Sequence, residues 1–290
     1  MLTNFPAKVL LLGEYTILNG SKALALPYQA LNGSWSFDTT ASELRDESRK
    51  SLYAFQEKSG VHSIDLKCMR RELDAGLWFE SSIPQGFGLG SSGAVIAAIF
   101  ERYGKPTGDL SQDKSDLASL EDFFHGSSSG IDPLVSHVQK PLLIHSFKDV
   151  EIFPELPDLE GFFLLNTGKP RQSGPLVSIY QEKLKDPQFK QGCAEILAKE
   201  VNFAIDAVLG RDRVNLFHHL WHISKFQWDF FPEMIPTKER GLWTRGIESG
   251  DYILKLCGAG GGGYILGHSN KFSFQEMQQL LKTHELRELK

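Results

Sequence analysis

The run Pro84-Gln85-Gly86-Phe87-Gly88-Leu89-Gly90-Ser91-Ser92-Gly93-Ala94 constrains this chain more than any other stretch. Glycine at three alternate positions lets the backbone take positive φ and lets N–H groups come close to a ligand. The Ala-, Val- and Ile-rich run behind it predicts a helix over Ser92 to Tyr103. The first N–H groups of such a helix have no intrahelical partner and mark the positive end of its dipole. Two familiar nucleotide loops do not fit. No lysine follows, as G-x-x-x-x-G-K-[ST] demands, and the spacing G-x-G-x-G departs from G-x-G-x-x-G. A cradle for anionic oxygen is the stronger reading, and a plain Gly/Ser turn between strand and helix is the alternative.

Two more segments bear on that choice. Leu256-Cys257-Gly258-Ala259-Gly260-Gly261-Gly262-Gly263-Tyr264 lies between short apolar runs, Tyr252 to Leu256 and Tyr264 to Leu266, and predicts strand, loop and strand. Lys8-Val9-Leu10-Leu11-Leu12-Gly13-Glu14-Tyr15 ends a buried strand at a glycine followed by an acidic and an aromatic residue. In order and placement the three segments resemble the motifs of the GHMP small-molecule kinases, the superfamily named for galactokinase, homoserine kinase, mevalonate kinase and phosphomevalonate kinase.

Finer features are similar to the mevalonate kinases within it, over nearly the whole chain. They are His125-Gly126-Ser127-Ser128-Ser129-Gly130-Ile131-Asp132 with Glu121 ahead of it, then Leu165-Asn166-Thr167-Gly168-Lys169-Pro170-Arg171, then Lys255 to Gly263. The chain departs from that pattern at Ala7 (usually Gly), Tyr15 (His), Gly93 (Ala), Ser128 (Pro) and Pro133 (Asn). Gly-Glu-Tyr is also seen in phosphomevalonate kinases.

The resemblance implies a two-domain α+β GHMP kinase fold, with a ribosomal-protein-S5-like N-terminal domain and a ferredoxin-like C-terminal domain. The expected division is 1–155 and 156–290, with the Pro- and acid-rich segment Glu151 to Asp158 as the crossing. It further implies ATP as phosphoryl donor, Mg2+, and a small alcohol as acceptor, mevalonate first and phosphomevalonate or another acceptor second. A nucleotide-binding regulator without catalysis is a more distant alternative. The donor phosphates are expected at Gly86, Gly88, Leu89, Gly90, Ser91, Ser92 and Gly93, with Gly258, Ala259, Gly260 and Gly261 close to phosphate or acceptor. Glu14, Tyr15, Ser129 and Thr167 match positions near the acceptor.

Phosphoryl transfer needs charge on the donor phosphates neutralised, an aligned acceptor hydroxyl, and a group to take its proton. Ser92 and Glu121 form an oxygen pair suited to Mg2+, a hard cation that uses one or two protein oxygens plus phosphates. Outside the motif, Glu121 would read as a solvated helix-face carboxylate. Asp132 is the candidate base, although it could equally cap the helix that Pro133 begins. By resemblance, Lys8 stands against Asp132, where its positive charge would stabilise the carboxylate and the hydroxyl as it loses its proton. A phosphorylated acceptor would call for Lys169 and Arg171.

Composition narrows the partners. The chain has 290 residues with 31 basic against 36 acidic side chains, a net −5, so no basic face points to nucleic acid or to an anionic membrane. Its longest apolar stretch, Gly93 to Phe100, falls short of the ~20 residues a membrane span needs, and cytoplasm is the expected compartment. A monomer or homodimer is expected. Three cysteines, Cys68, Cys193 and Cys257, lack C-x-x-C spacing and read as buried thiols. His218, His219 and His222 sit in an amphipathic stretch without metal-site spacing, so no metal role is expected of them.

Strands are expected at Leu24 to Leu26, Gly33 to Thr39, Ile64 to Met69, Leu77 to Ile83 and Phe162 to Leu165. Helices are expected at Leu52 to Glu57, Asp116 to Phe124, Ser173 to Leu184, Cys193 to Leu209, Val214 to Trp228, Thr237 to Glu248 and Phe274 to Glu288.

Overall fold

The computed structural model describes residues 4–38, 42–58, 64–126, 128–171 and 173–290. Thr39 and Ser127 therefore lie outside the described residues. The chain packs into two compact units that are discontinuous in sequence, one comprising Met1–Lys8, Pro27–Gln85 and Leu89–Lys140, the other Val9–Leu26, Gly86–Gly88 and Pro141–Lys290. The division departs from a single break near residue 155 because two long strands, β1 (Phe5–Leu12) and β2 (Ala23–Ser36), each contribute residues to both units.

In the first unit these strands are followed by α1 (Glu43–Lys58), α2 (Leu66–Asp74), β3 (Trp78–Ser81), α3 (Ser91–Tyr103), α4 (Leu110–His125) and α5 (Ile131–Val138). β3 pairs antiparallel with the end of β2, Gly33 opposite Ser81 and Ser36 opposite Trp78. α3 forms the centre: Ala94, Ile96, Ala97, Ala98, Ile99 and Phe100 are all fully buried. A helix that is apolar all round belongs in a core, and each Ile or Phe so buried stabilises the unit by ~1.5–3 kcal/mol. Close packing of α3 on α5 depends on Gly93. A Cβ there would lie 2.9 Å from the Asp132 carbonyl carbon and the Pro133 nitrogen.

The second unit begins with β4 (Leu142–Ser146) and β5 (Asp149–Ile152), and β4 pairs antiparallel with Ala23 to Ala25 of β2. Next come β6 (Phe162–Asn166), α6 (Ser173–Lys183), α7 (Pro187–Gly192), a π turn over Cys193–Leu197, α8 (Ala198–Leu209) and α9 (Arg213–Phe230). α10 (Arg240–Ser249), β7 (Ile253–Leu256), β8 (Tyr264–His268), α11 (Phe274–Leu280) and β9 (Leu286–Glu288) complete it. Its antiparallel sheet has the order β7-β8-β6-β9. Phe162 to Leu165 are buried on both faces, as a covered strand requires.

Several expectations change. Ile64 to Met69 is not a strand, because Asp65 accepts the N–H of Cys68 and starts α2, with Met69 and Leu73 buried one turn apart. The strands expected on either side of Pro27 are one, β2, and Pro27 falls between its registers with β4 and β3. The expected last helix stops at Leu280, and Leu286 instead pairs with Leu165 at the sheet edge. The helix from Thr237 opens as a 3-10 turn before α10. Glu151 and Ile152, placed by the sequence in a crossing, belong to β5. Cys193 and Cys257 are buried, whereas Cys68 is partly exposed.

Candidate active site

In the first unit, Lys8 projects from β1 with only 5% of its surface exposed, and its backbone N–H donates to the Leu89 carbonyl at 2.8 Å. That bond ties the strand to the start of α3. Lys8 Nζ lies 2.8 Å from Asp132 Oδ1, and the Asp132 side chain is 38% exposed. The pair thus joins a sheltered cation to a carboxylate that solutes can reach. At Gly90, the residue before α3, a Cβ would stand 3.3 Å from Lys8 Cβ, so a side chain there would crowd the pair.

Beside this pair, Ser92 Oγ on the first turn of α3 lies 3.3 Å from Oε1 of Glu121, a buried residue of α4. Ser128 Oγ donates to Glu121 Oε2. Burial first, then the charge of Asp132, pushes the Glu121 carboxyl up to about 7, while Ser128, Lys8 and Ser92 oppose the rise. Lys8, Glu121 and Asp132 carry one positive and two negative charges when ionised, and the uncompensated negative charge fits a divalent cation held by Glu121 and Ser92. Ser129 Oγ accepts the Ile131 N–H at 3.4 Å, within the turn that leads into α5. Leu89 has a fully buried side chain and a carbonyl engaged by Lys8, so it can meet a ligand only through its backbone.

The second unit carries a separate constellation. Glu14 and Lys255 form a buried ion pair with Nζ 2.6 Å from Oε1 and both side chains 2% exposed. Lys255 Nζ also donates to the carbonyls of Leu11 at 3.0 Å and Leu256 at 2.6 Å, so all three of its N–H bonds are used. Burial raises the pKa of Glu14, and Lys255 opposes the rise. Glu14 Oε1 also accepts the N–H of Gly258 at 3.5 Å, the first glycine of the second glycine-rich loop.

Tyr15 adopts φ 62, rare for a bulky residue. Its hydroxyl donates to the Ala259 carbonyl at 2.7 Å, and its ring packs 4.5 Å from Tyr180 and 5.8 Å from Phe231, contacts that hold the unusual backbone. Burial keeps the hydroxyl protonated by raising its pKa. Thr167 donates its hydroxyl to the Gly263 carbonyl at 2.8 Å. Within the loop, Gly261 donates its N–H to Met234 at 2.6 Å. Thr167 Oγ and the Gly261 N–H are therefore engaged in holding the loop itself.

Arg171 has the most demanding surroundings. Its Nη1 donates to the Cys257 carbonyl at 2.5 Å. A Cβ on Gly88 would come within 2.1 Å of its Nη2, and one on Gly258 within 2.5 Å. Bare backbone at both glycines is what admits the guanidinium.

The structure brings Lys8, Ser92, Glu121 and Asp132 together, and sets Gly86 and Gly88 beside Arg171. Sequence reasoning assigned no role to Lys255 or Ser128. A lysine between the apolar residues of an expected buried strand was the available signal for Lys255. Ser128 was visible as a departure from Pro, without its partner. Among the described residues no three His, Cys, Asp or Glu side chains are placed to hold a metal. His219 instead faces Glu200, with Nδ1 2.8 Å from its carboxylate.

Residues 47–138 match the family model for the GHMP kinases N terminal domain. The matched segment is that of a GHMP kinase N-terminal domain, and the chain is a small-molecule kinase. It is 27% identical to the mevalonate kinase of Pyrococcus horikoshii over 298 aligned residues, covering 91% of this chain and 87% of that one. It also resembles the crystal structure of L. major mevalonate kinase in complex with R-mevalonate, with TM-score 0.67, 14% identity, and coverage of 97% and 90% of the two chains. Phosphomevalonate kinase of Streptococcus pneumoniae in complex with phosphomevalonate and AMPPNP gives TM-score 0.67 at 16% identity over 99% of each chain. No helix among the described residues is long and apolar enough to cross a membrane.

Proposed function

We propose that the chain transfers the γ-phosphoryl group of ATP to the 5-hydroxyl of mevalonate, in the cytoplasm and with Mg2+ bound at Glu121 and Ser92. The Lys8–Asp132 pair, 2.8 Å apart with only the carboxylate accessible, carries this reading. Asp132 accepts the proton of the acceptor hydroxyl. The oxygen so released bonds to the γ-phosphorus as the bond from that phosphorus to the β,γ-bridging oxygen breaks, and ADP departs with the electron pair. Lys8 Nζ holds the Asp132 carboxylate in place and offsets negative charge as it develops on the acceptor oxygen. Mg2+ supplies neutralisation of donor-phosphate charge when bound. The orphan N–H groups at the start of α3 favour phosphate oxygen nearby.

A second acceptor, phosphomevalonate, is favoured by one observation, the Arg171 guanidinium set among the glycines. Arginine binds phosphate through paired, charge-assisted hydrogen bonds.

ADP release measured with mevalonate, phosphomevalonate, homoserine and galactose tests the proposal. Turnover is expected with mevalonate, and Asp132→Asn should lower kcat by ~10²–10⁴ while nucleotide affinity holds. Activity with phosphomevalonate alone, abolished in Arg171→Ala, would replace mevalonate by its phosphorylated form. An Asp132→Asn enzyme that turns over normally would remove Asp132 from the chemistry.

A further inference from the structure

Ser128 stands in the turn between α4 and α5, and its single hydroxyl serves two elements. Its oxygen accepts the N–H of Gly130 at 2.9 Å. Gly130 is the residue on which α5 begins, two positions before Asp132. Its proton is donated to Glu121 Oε2. A serine hydroxyl has one proton to give, so with Gly130 on its acceptor side that proton is directed at the carboxylate. Glu121 itself is 4% exposed, and Ser92 approaches its other oxygen, Oε1, at 3.3 Å. A buried carboxylate close to a second carboxylate needs donors to stay charged, and Ser128 is one of the two hydroxyls that supply them.

We propose that Ser128 is a positioning residue for the divalent cation: it fixes the Glu121 carboxylate by binding Oε2, leaving Oε1 and Ser92 directed to the metal. The inference rests on Glu121 as a metal ligand. A proline at position 128, as in the pattern the motif resembles, would have no donor to offer. Groups that orient a metal's ligands through a hydrogen bond are worth ~10–100-fold in metal affinity when removed.

Calorimetric titration of the full chain with AMPPNP, in Mg2+ and again in EDTA, reads the effect without turnover. In the unmodified protein Mg2+ should tighten AMPPNP binding. Ser128→Ala should lose about tenfold or more of that gain with its affinity in EDTA unchanged, and Ser128→Thr, which keeps the hydroxyl, should retain it. Glu121→Gln should abolish the gain. Three results overturn the proposal: a full Mg2+ gain in Ser128→Ala, an equal loss with and without Mg2+ that tracks a lower Tm, or no recovery in Ser128→Thr. A full gain in Glu121→Gln would overturn it together with the metal assignment, whereas loss in Glu121→Gln beside a full gain in Ser128→Ala sinks the role of Ser128 alone. Should Ser128→Ala fail to fold, Ser128→Cys, close in shape but a weak donor, gives the same comparison.

Discussion

Two carboxylates a short distance apart in sequence, Glu121 and Asp132, stand in different surroundings, and the different roles proposed for them rest on that difference. Asp132 is open to solutes and paired with Lys8; Glu121 is sealed, and its carboxyl is pushed up to about 7. If Glu121 holds Mg2+ as proposed, a proton and the cation compete for it. As pH falls through about 7 the proton is taken up and the cation loses its ligand, so the Mg2+ concentration needed for half-maximal activity should rise steeply below that pH. Glu121→Gln should flatten the dependence, and kinetics at fixed ATP across pH 5.5–8.5 measure both. The Glu14–Lys255 pair gives a second expectation. Lys255→Met strands a carboxylate that is 2% exposed, which costs ~3–5 kcal/mol. Adding Glu14→Gln should recover a large part of that loss in urea unfolding, because no buried charge is then left unpaired. Asp132, Lys8, Ser92 and Glu121, which the structure brings together, could be singled out in the sequence because each stands in a short local motif. Lys255 and Ser128 were not, since their significance lies in partners 241 and 7 residues away.

At the scale of elements, the first turn of α3 is where a small change travels furthest. A methyl group at Gly93 would stand 2.9 Å from the backbone joining Asp132 to Pro133. Gly93→Ala must push α5 away, at ~1–3 kcal/mol for overpacking, and it moves the proposed base with it. The expected outcome is a fall in kcat larger than the change in ATP KM, with a lowered Tm; an unaltered kcat would show that α5 yields without shifting Asp132. α3 itself was readable from its apolar run and its glycines. α2 was misread because Ile64 to Met69 has the composition of a strand, and only the cap at Asp65 and the burial of Met69 and Leu73 settle it as a helix. β9 was hidden inside a helical pattern that ends at Leu280, since a three-residue edge strand leaves almost no periodic signal.

For the whole molecule, the α+β class followed from the mixture of short strands and amphipathic helices, whereas the discontinuous partition did not. Periodicity reports which face of an element is buried, not which neighbours bury it, and so it cannot reveal that β1 and β2 each contribute to two compact units. Ligand linkage gives an expectation at this scale. A nucleotide that binds only the folded chain stabilises it by RT ln(1 + [L]/Kd), ~2.7 kcal/mol at a hundred times Kd. Mg2+–AMPPNP should raise Tm in the unmodified protein and equally in Asp132→Asn, whose nucleotide affinity is expected to hold. A lost shift in Asp132→Asn would assign that residue to binding instead.

The saturated ammonium of Lys255 has a practical corollary. An amine whose three N–H bonds are all taken, at 2% exposure, is closed to acylating reagents while the residues around it stay folded. Its acceptors are the Leu11 carbonyl on β1, the Glu14 carboxylate just beyond that strand, and the Leu256 carbonyl on the strand that enters the second glycine-rich loop, so Lys255 can be labelled only when that neighbourhood opens. The extent of acetylation at this one lysine, read by mass spectrometry over time, becomes a clock for local opening of the loop, set against exposed lysines such as Lys290 as an internal standard.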